Sequence, residues 1–328
     1  MTRSPSVLAV FPPLHDANAG GIQVAGRIAW DALNQNGRAS LLEVSAHRRW
    51  RAIRNAHLQP GSFDVVLFWH LDLLRLAPLI TRHARRVVFL HGIEAWRRPD
   101  PITRMLLRGA AVLANSQYTI ERARATLPPI DDAQVVPLGL GDSTTDTAPA
   151  DPPIALMISR LDAGERYKGH HEVIDAWPLV QQRVPSAQLW IVGEGDLRAE
   201  LEAHAAGENV TFFGRVSEDE KARLLNAARC LVLPSRGEGF GLVYLEAMRA
   251  GRPCLVGVDA GKEVVAPPTA GLSVDPADSQ ALADAMVRLL TPGAPWDAMS
   301  QAARHRYQEN FTAAHFQRRL VTALERIH

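Results

Sequence analysis

No run of about 18 or more apolar residues occurs in this chain of 328 residues, which leaves its sequence without a membrane-spanning helix. Cysteine is nearly missing. The two present, Cys230 and Cys254, sit inside apolar runs at no metal-ligand spacing, so they read as buried reduced thiols in a reducing cytoplasm. The opening segment, MTRSPSVLAVFPP, lacks a small-residue cleavage site and is expected to form a first buried strand rather than a signal peptide. Neither zinc-finger spacing nor an RNA-binding aromatic signature occurs, which sets nucleic acid aside as a partner. Internal repeats and low-complexity tracts are absent too.

What is present belongs to a globular protein, with 47% hydrophobic and 22% charged residues. The length suggests two domains of about 150 residues each. A net charge of +1 hides an asymmetry: the first 150 residues hold 17 Lys and Arg against 12 Asp and Glu, and the rest hold 19 against 23. The basic excess lies between Arg38 and Arg108, with Arg48, Arg49, Arg51 and Arg54 close together and Arg82, Arg85 and Arg86 following. Two readings stand side by side. One is a face that rests peripherally on anionic lipid, each basic residue contributing on the order of 1 kcal/mol; the other is a solvated arginine-rich surface.

Apolar runs alternate with amphipathic stretches, the pattern of stacked βαβ units with parallel sheets. Strands are expected at 6–11, 39–44, 64–70, 86–92, 111–116 and 134–139, and again at 154–159, 187–193, 209–214, 229–235 and 253–258. Their continuous apolar character suits strands buried on both faces. Helices are expected at 22–36, 118–126, 170–183, 197–206, 218–228, 242–250 and 279–290, with 296–328 helical except at Asn310–Phe311–Thr312. The segment 141–153, GDSTTDTAPADPP, has linker composition. The fold class is therefore α/β, with two Rossmann-like doubly wound parallel-sheet domains whose ligands are expected in the cleft they face.

The chemistry concentrates in PSRGEGFGLVYLEAMRAGRPCLVG, 234–257. A buried strand ends, a turn follows through Gly237, Gly239 and Gly241, and a helix starts near Leu242. Glycines there let backbone N–H groups approach an anion at the helix N-terminus. Glu238 lies in the turn and Glu246 just over one helical turn inside. A carboxylate at Glu246 is suited to accept two hydroxyl hydrogen bonds, as a ribose diol offers. The alternative is that Glu238 caps the helix and Glu246 pairs with an Arg. Gly193 and Gly195 form a GxG after a strand, but without the third glycine of a dinucleotide fingerprint.

The spacing from Glu238 to Glu246 and the intervening GFGLVYL resemble the E-x7-E motif of retaining GT-B glycosyltransferases, in particular glycosyltransferase family 4, the group 1 glycosyltransferases. The resemblance runs along nearly the whole chain: AVFPPLHDANAGGIQVAGRIAWDAL, FLHGIEAW, ANSQYTIERA, VVPLGLGD, ISRLDAGERYKGHHEVIDAW, IVGEGDLRAEL and VTFFGRVSEDEKARLL each resemble an ordered family segment. It implies an N-terminal acceptor domain at 1–145, a donor domain at 146–305 and a helix at 306–328 returning to the first domain. Arg160 and Lys168 would hold the donor diphosphate, and Glu246 the ribose. Glu238 would hold the transferred sugar, beside Gly239 and the N–H groups of Phe240, Gly241 and Leu242. Arg215 and Val216 would lie against the base, and Gly193 beside the donor. Gly20 and Gly21 would face phosphate or acceptor, and His91 the donor sugar or its phosphate.

The implied reaction moves a hexose from a GDP-mannose- or UDP-glucose-type donor to a glycan or lipid-linked hydroxyl in surface polysaccharide or glycolipid assembly, in the cytoplasm or on the inner face of the membrane. Apart from the nucleotide sugar as co-substrate it needs no cofactor. D-x-D, which holds a metal in the other major glycosyltransferase fold, is absent, so no metal is expected. A silent nucleotide-sugar binder, or an epimerase or phosphorylase of the same fold, are the rival readings. One departure stands out: VDAGKEVV places Lys262 where the family more often has Pro before the Glu.

Overall fold

The computed structural model describes residues 5–15, 20–35, 37–44, 63–80, 83–142 and 147–328. Arg48, Arg49, Arg51, Arg54 and Arg82 lie outside them. The chain divides into two compact units, Met1–Gly141 with Phe311–His328, and Asp142–Asn310.

In the first unit six parallel strands, β1 (Val7–Phe11), β2 (Ala39–Glu43), β3 (Val65–Phe68), β4 (Arg85–Leu90), β5 (Ala110–Ala114) and β6 (Gln134–Val135), are ordered β2-β1-β3-β4-β5-β6. Val7–Phe11 and Val65–Phe68 are buried at every position. That is what helices on both faces of a parallel sheet require. Helix α1 (Gly21–Gln35) buries Ala25, Gly26, Ala29, Ala32 and Leu33. Its Gly26 faces Leu14, Trp69 and Phe11 so closely that a Cβ would sit 2.8 Å from a Leu14 methyl. A one-turn helix α2 (Ala77–Ile80) follows β3, and α3 (Pro101–Leu107) is capped by Asp100, whose carboxylate accepts from Ile102 N and Thr103 N. Helix α4 (Gln117–Arg124) is capped by Ser116. The core joins Val10, Phe68, Val88, Leu90 and Ile120.

The second unit repeats the plan with β7 (Ile154–Ile158), β8 (Gln188–Val192), β9 (Val210–Gly214), β10 (Cys230–Leu233), β11 (Cys254–Val256) and β12 (Gly271–Ser273), ordered β12-β11-β10-β7-β8-β9 and all parallel. Its helices are α5 (His170–Arg183), α6 (Arg198–His204), α7 (Glu218–Ala227), α8 (Leu242–Arg249), α9 (Gly261–Val265), α10 (Ser279–Leu290) and α11 (Ala294–Asn310). Cys230 and Cys254 are buried free thiols on neighbouring strands. Burial pushes the Cys230 thiol up to about 12, so it stays protonated.

The last helix, α12 (Ala313–Ile327), belongs to the first unit and packs on α1. Asn310–Phe311–Thr312 breaks the helical run because Thr312 caps α12 through its hydroxyl. Leu140 and Phe311 meet there, Leu140 N–H donating to the Phe311 carbonyl at 3.0 Å. The α/β class with two doubly wound parallel sheets is thus as expected from the pattern. Strand β6 stops at Val135 rather than 139, since Pro137 has no N–H to continue the ladder.

Candidate functional site

A polar constellation is built on the C-terminal ends of β7 and β10. Strand β10 ends at Leu233, Pro234 and Ser235 are buried, and the glycine turn leads into α8. Gly241 takes φ +81°, which favours glycine. No side chain caps α8, so Glu238 is not its cap. The first N–H groups of such a helix are left to an outside acceptor.

Around this turn three sequence-selected residues come together. Lys168, 12% exposed, places Nζ 3.1 Å from Glu165 Oε2 and 3.8 Å from Glu238 Oε2. Arg160 pairs with the other Glu165 oxygen and keeps most of its guanidinium in solvent. Glu165, itself buried, therefore holds both cations. The 3₁₀ turn Ala163–Lys168 supplies Glu165 and Lys168 and ends at Gly169, whose φ of +84° lets it approach Pro234. Next to it His170 donates or accepts at Ser159 Oγ, 2.7 Å away. Burial, then the Lys168 charge, lowers that imidazole to about 4, leaving it neutral at pH 7.

Asp259 fixes the turn from beneath. Its Oδ2 accepts from Glu238 N at 2.7 Å and its Oδ1 from Gly261 N at 3.0 Å. Burial raises this carboxyl to about 6, against the lowering effect of those two N–H donors. Glu246 faces α7, where Lys221 Nζ lies 2.8 Å from its carboxylate and also reaches Glu218. The pairing partner is a lysine, not the arginine allowed for in the sequence. Burial pulls the Lys221 ammonium down, but the charges and hydrogen bonds of Glu246 and Glu218 together outweigh it and the net shift is upward.

Of the remaining sequence-selected residues, some line the same turn and others lie on other elements. Gly193 follows β8, donates its N–H to the Gly214 carbonyl at 2.9 Å and lies flush against the Ser159 carbonyl, a contact no side chain would tolerate. Arg215 and Val216 follow β9, Arg215 exposed and Val216 half-buried. Gly239, Phe240 and Leu242 line the turn and the start of α8, Phe240 buried. In the first unit Gly20 precedes α1, and Gly21 is its first residue. His91 follows β4 and its ring Nε2 lies 2.7 Å from the Trp69 carbonyl. A carbonyl only accepts, so Nε2 carries the proton and Nδ1 the lone pair. Burial lowers this imidazole to about 4, so it is neutral at pH 7. Glu165, Lys221 and Asp259 are the residues that sequence reading misses. Glu165 and Lys221 leave a local trace, as i,i+3 partners of Lys168 and Glu218, but neither spacing points to the site.

Comparison with known proteins decides the family. The profile described as "Glycosyl transferases group 1" matches residues 152–292. The chain is 32% identical over 275 residues to a GDP-mannose-dependent alpha-(1-6)-phosphatidylinositol monomannoside mannosyltransferase of Mycobacterium tuberculosis, covering 74% of this chain and 71% of that protein. It belongs to the group 1 glycosyltransferases. A phosphatidyl-myo-inositol mannosyltransferase of Mycobacterium leprae is 37% identical over 169 residues, 48% of this chain, and there the match spans only 44% of the relative's length. Among solved structures, Anabaena Alr3699/HepE in complex with UDP and glucose superposes with a TM-score of 0.75 at 17% identity, covering 98% of this chain and 99% of that one. The likeness is one of fold, and the two six-stranded parallel sheets of this group 1 glycosyltransferase are those of GT-B proteins.

Proposed function

We propose that this chain is a retaining, family 4 glycosyltransferase that moves a hexose from a nucleotide diphosphate sugar to an acceptor hydroxyl. The supporting observation is the meeting of Arg160, Lys168 and Glu238 beside the uncapped start of α8. In the reaction the anomeric C–O bond to the diphosphate breaks, a bond to the acceptor oxygen forms, and the acceptor proton leaves with the diphosphate. Negative charge grows on that leaving group. Arg160, Lys168 and the α8 N–H groups are fixed donors aimed at such charge, usually the largest catalytic contribution. They take the part a divalent ion plays elsewhere, so neither metal nor cofactor is needed. Glu238 accepts from hydroxyls of the transferred sugar and Glu246 from the ribose, Arg215 and Val216 flank the base, and His91 offers Nδ1 to a sugar hydroxyl.

GDP-mannose is favoured over UDP-glucose because the M. tuberculosis relative is GDP-mannose-dependent. The acceptor is a glycan or lipid-linked hydroxyl in surface polysaccharide or glycolipid assembly, reached from the cytoplasmic face of a membrane. Helix α3 supports that location. It turns Ile102 and Met105 outward, 58% and 62% exposed, among the exposed Arg97, Arg98, Arg104 and Arg108, while Asp100 is engaged by Arg75. Apolar side chains ringed by arginine suit an anionic lipid surface. No helix among the described residues is long and apolar enough to cross a membrane.

The test is nucleoside diphosphate release from GDP-mannose in the presence of a lipid-linked acceptor and EDTA. Acceptor-dependent release is expected from the parent chain, and at least about a hundredfold less from Glu238→Ala. Full activity in that variant would sink the assignment of Glu238, and release that requires added magnesium would sink the metal-free reading.

A further inference from the structure

A second basic constellation lies in the first unit, where β6 and α12 border a pocket of about 240 Å³. Water takes about 30 Å³ in the liquid, so this space accepts a multi-atom ligand. Arg318, Arg319, Thr322 and Arg326 line it from α12, and Gln134 and Val135 from β6. At 100° per residue these four helix positions share one face. Lines of like charge are unfavourable, yet among the described residues none of the three arginines makes an ion pair. The nearest acidic residue in sequence on the helix, Glu325, instead lines a different pocket with Arg38.

Arg319 is the most telling member. Its Nη1 is fully buried and finds no protein acceptor. Buried polar groups are normally satisfied, and an exception that lines an open pocket is where a bound ion would supply the acceptor. Burial and the neighbouring Arg318 lower the Arg319 guanidinium, and burial and both arginines lower His315 one turn before it. An anion in the pocket would relieve each of these effects.

We infer that the β6–α12 pocket is an anion site for a phosphate-bearing ligand, held by Arg318, Arg319 and Arg326 with Thr322 and Gln134 as neutral donors. Forked guanidinium donors match phosphate oxygens two at a time, and three of them exceed what a single carboxylate uses. The site does not depend on the glycosyl-transfer reading, since it shares no residue with Arg160, Lys168 or Glu238. The same chemistry is offered by a free diphosphate and by a phospholipid headgroup.

Titration of the full chain with inorganic pyrophosphate, followed by calorimetry, separates the two sites. The Arg160→Gln/Lys168→Gln chain is expected to retain pyrophosphate binding. Adding Arg319→Gln/Arg326→Gln is expected to weaken what remains about tenfold or more, the loss of two charge-assisted contacts. A parallel co-sedimentation with phosphatidylglycerol vesicles against phosphatidylcholine vesicles identifies the source. If only vesicle binding falls in the arginine variant, the ligand is a lipid headgroup; if pyrophosphate binding falls, it is a soluble diphosphate. If neither changes, the site does not exist. Arg326→Gln alone, at an exposed position near the helix end, serves should the double variant not fold, and unaltered binding of both probes there overturns the proposal equally.

Discussion

The two units use their charges differently. In the second unit cations and carboxylates are paired with one another: Arg160 and Lys168 on Glu165, Lys168 near Glu238, Lys221 on Glu246, Arg166 on Glu200 and Arg198 between Glu194 and Glu202. In the first unit Arg97, Arg98, Arg104 and Arg108 on and around α3, and Arg318, Arg319 and Arg326 on α12, make no ion pair among the described residues. A paired cluster is already oriented, so a ligand entering it exchanges partners without reordering side chains. Unpaired arginines gain their partners only from outside. One unit holds its charged groups against one another, and the other leaves arginines open to partners from outside.

Removing a paired cation should therefore cost far more stability than removing an outward one. Lys221 and Glu246 are 19% and 14% exposed, so Lys221→Met leaves a largely buried carboxylate alone. The expected loss is about 2–3 kcal/mol, below the full range for deeply buried pairs because solvent still reaches both groups. Arg104→Met, on the exposed face of α3, should change stability by less than about 0.5 kcal/mol. Urea unfolding of both variants checks this, and equal losses would erase the distinction between the units.

The same contrast governs how much the sequence discloses. Parallel strands buried on both faces leave unbroken apolar runs, so eleven of the twelve strands among the described residues are legible; Gly271–Ser273 is too short to register. Helix α3 carries a readable start, Asp100 followed by Pro101, yet its seven residues bury too little apolar surface to show a period. Arg160, Lys168 and Glu238 can be picked out because glycines and charges cluster at strand ends. Asp259 and Lys221 cannot, because the partners that bring them to the site, the Glu238 N–H and the Glu246 carboxylate, are reached through the tertiary fold, 21 and 25 residues away in sequence. The long arginine run near Arg48–Arg54 falls outside the described residues.

Asp259 offers a sharper probe of the paired cluster. Its folded pKa of about 6 lies above the ordinary value of 3.8. Between roughly pH 4 and 6 an unfolded chain has released this proton while the folded chain keeps it. The group's contribution to stability is thus full below pH 4, falls as pH rises through 6 and is constant above. For activity the ionised form matters, because only the carboxylate accepts from both Glu238 N and Gly261 N. In the parent, kcat/KM is expected to decline below pH 6. Asp259→Asn presents an amide N–H₂ to one of those donors, so activity should fall about tenfold at pH 7. The inflection near pH 6 should disappear with it. An inflection that survives the substitution would assign the titration to another group.

The smallest structural effect is expected where the first unit meets an outside surface. Ile102 and Met105 already lie in water, so Ile102→Ser/Met105→Ser should leave urea stability within about 0.5 kcal/mol of the parent. Burying two such side chains in a lipid interface is favourable by about 25 cal/mol per Å² of apolar surface removed from water. Their loss should therefore weaken binding to anionic vesicles several-fold, even with every arginine in place. Charge alone would give the opposite result: the serine variant would bind as tightly as the parent, and binding by both would vanish in high salt. Retention of part of the parent's binding at high salt, and its absence from the serine variant, would show that α3 inserts rather than hovers.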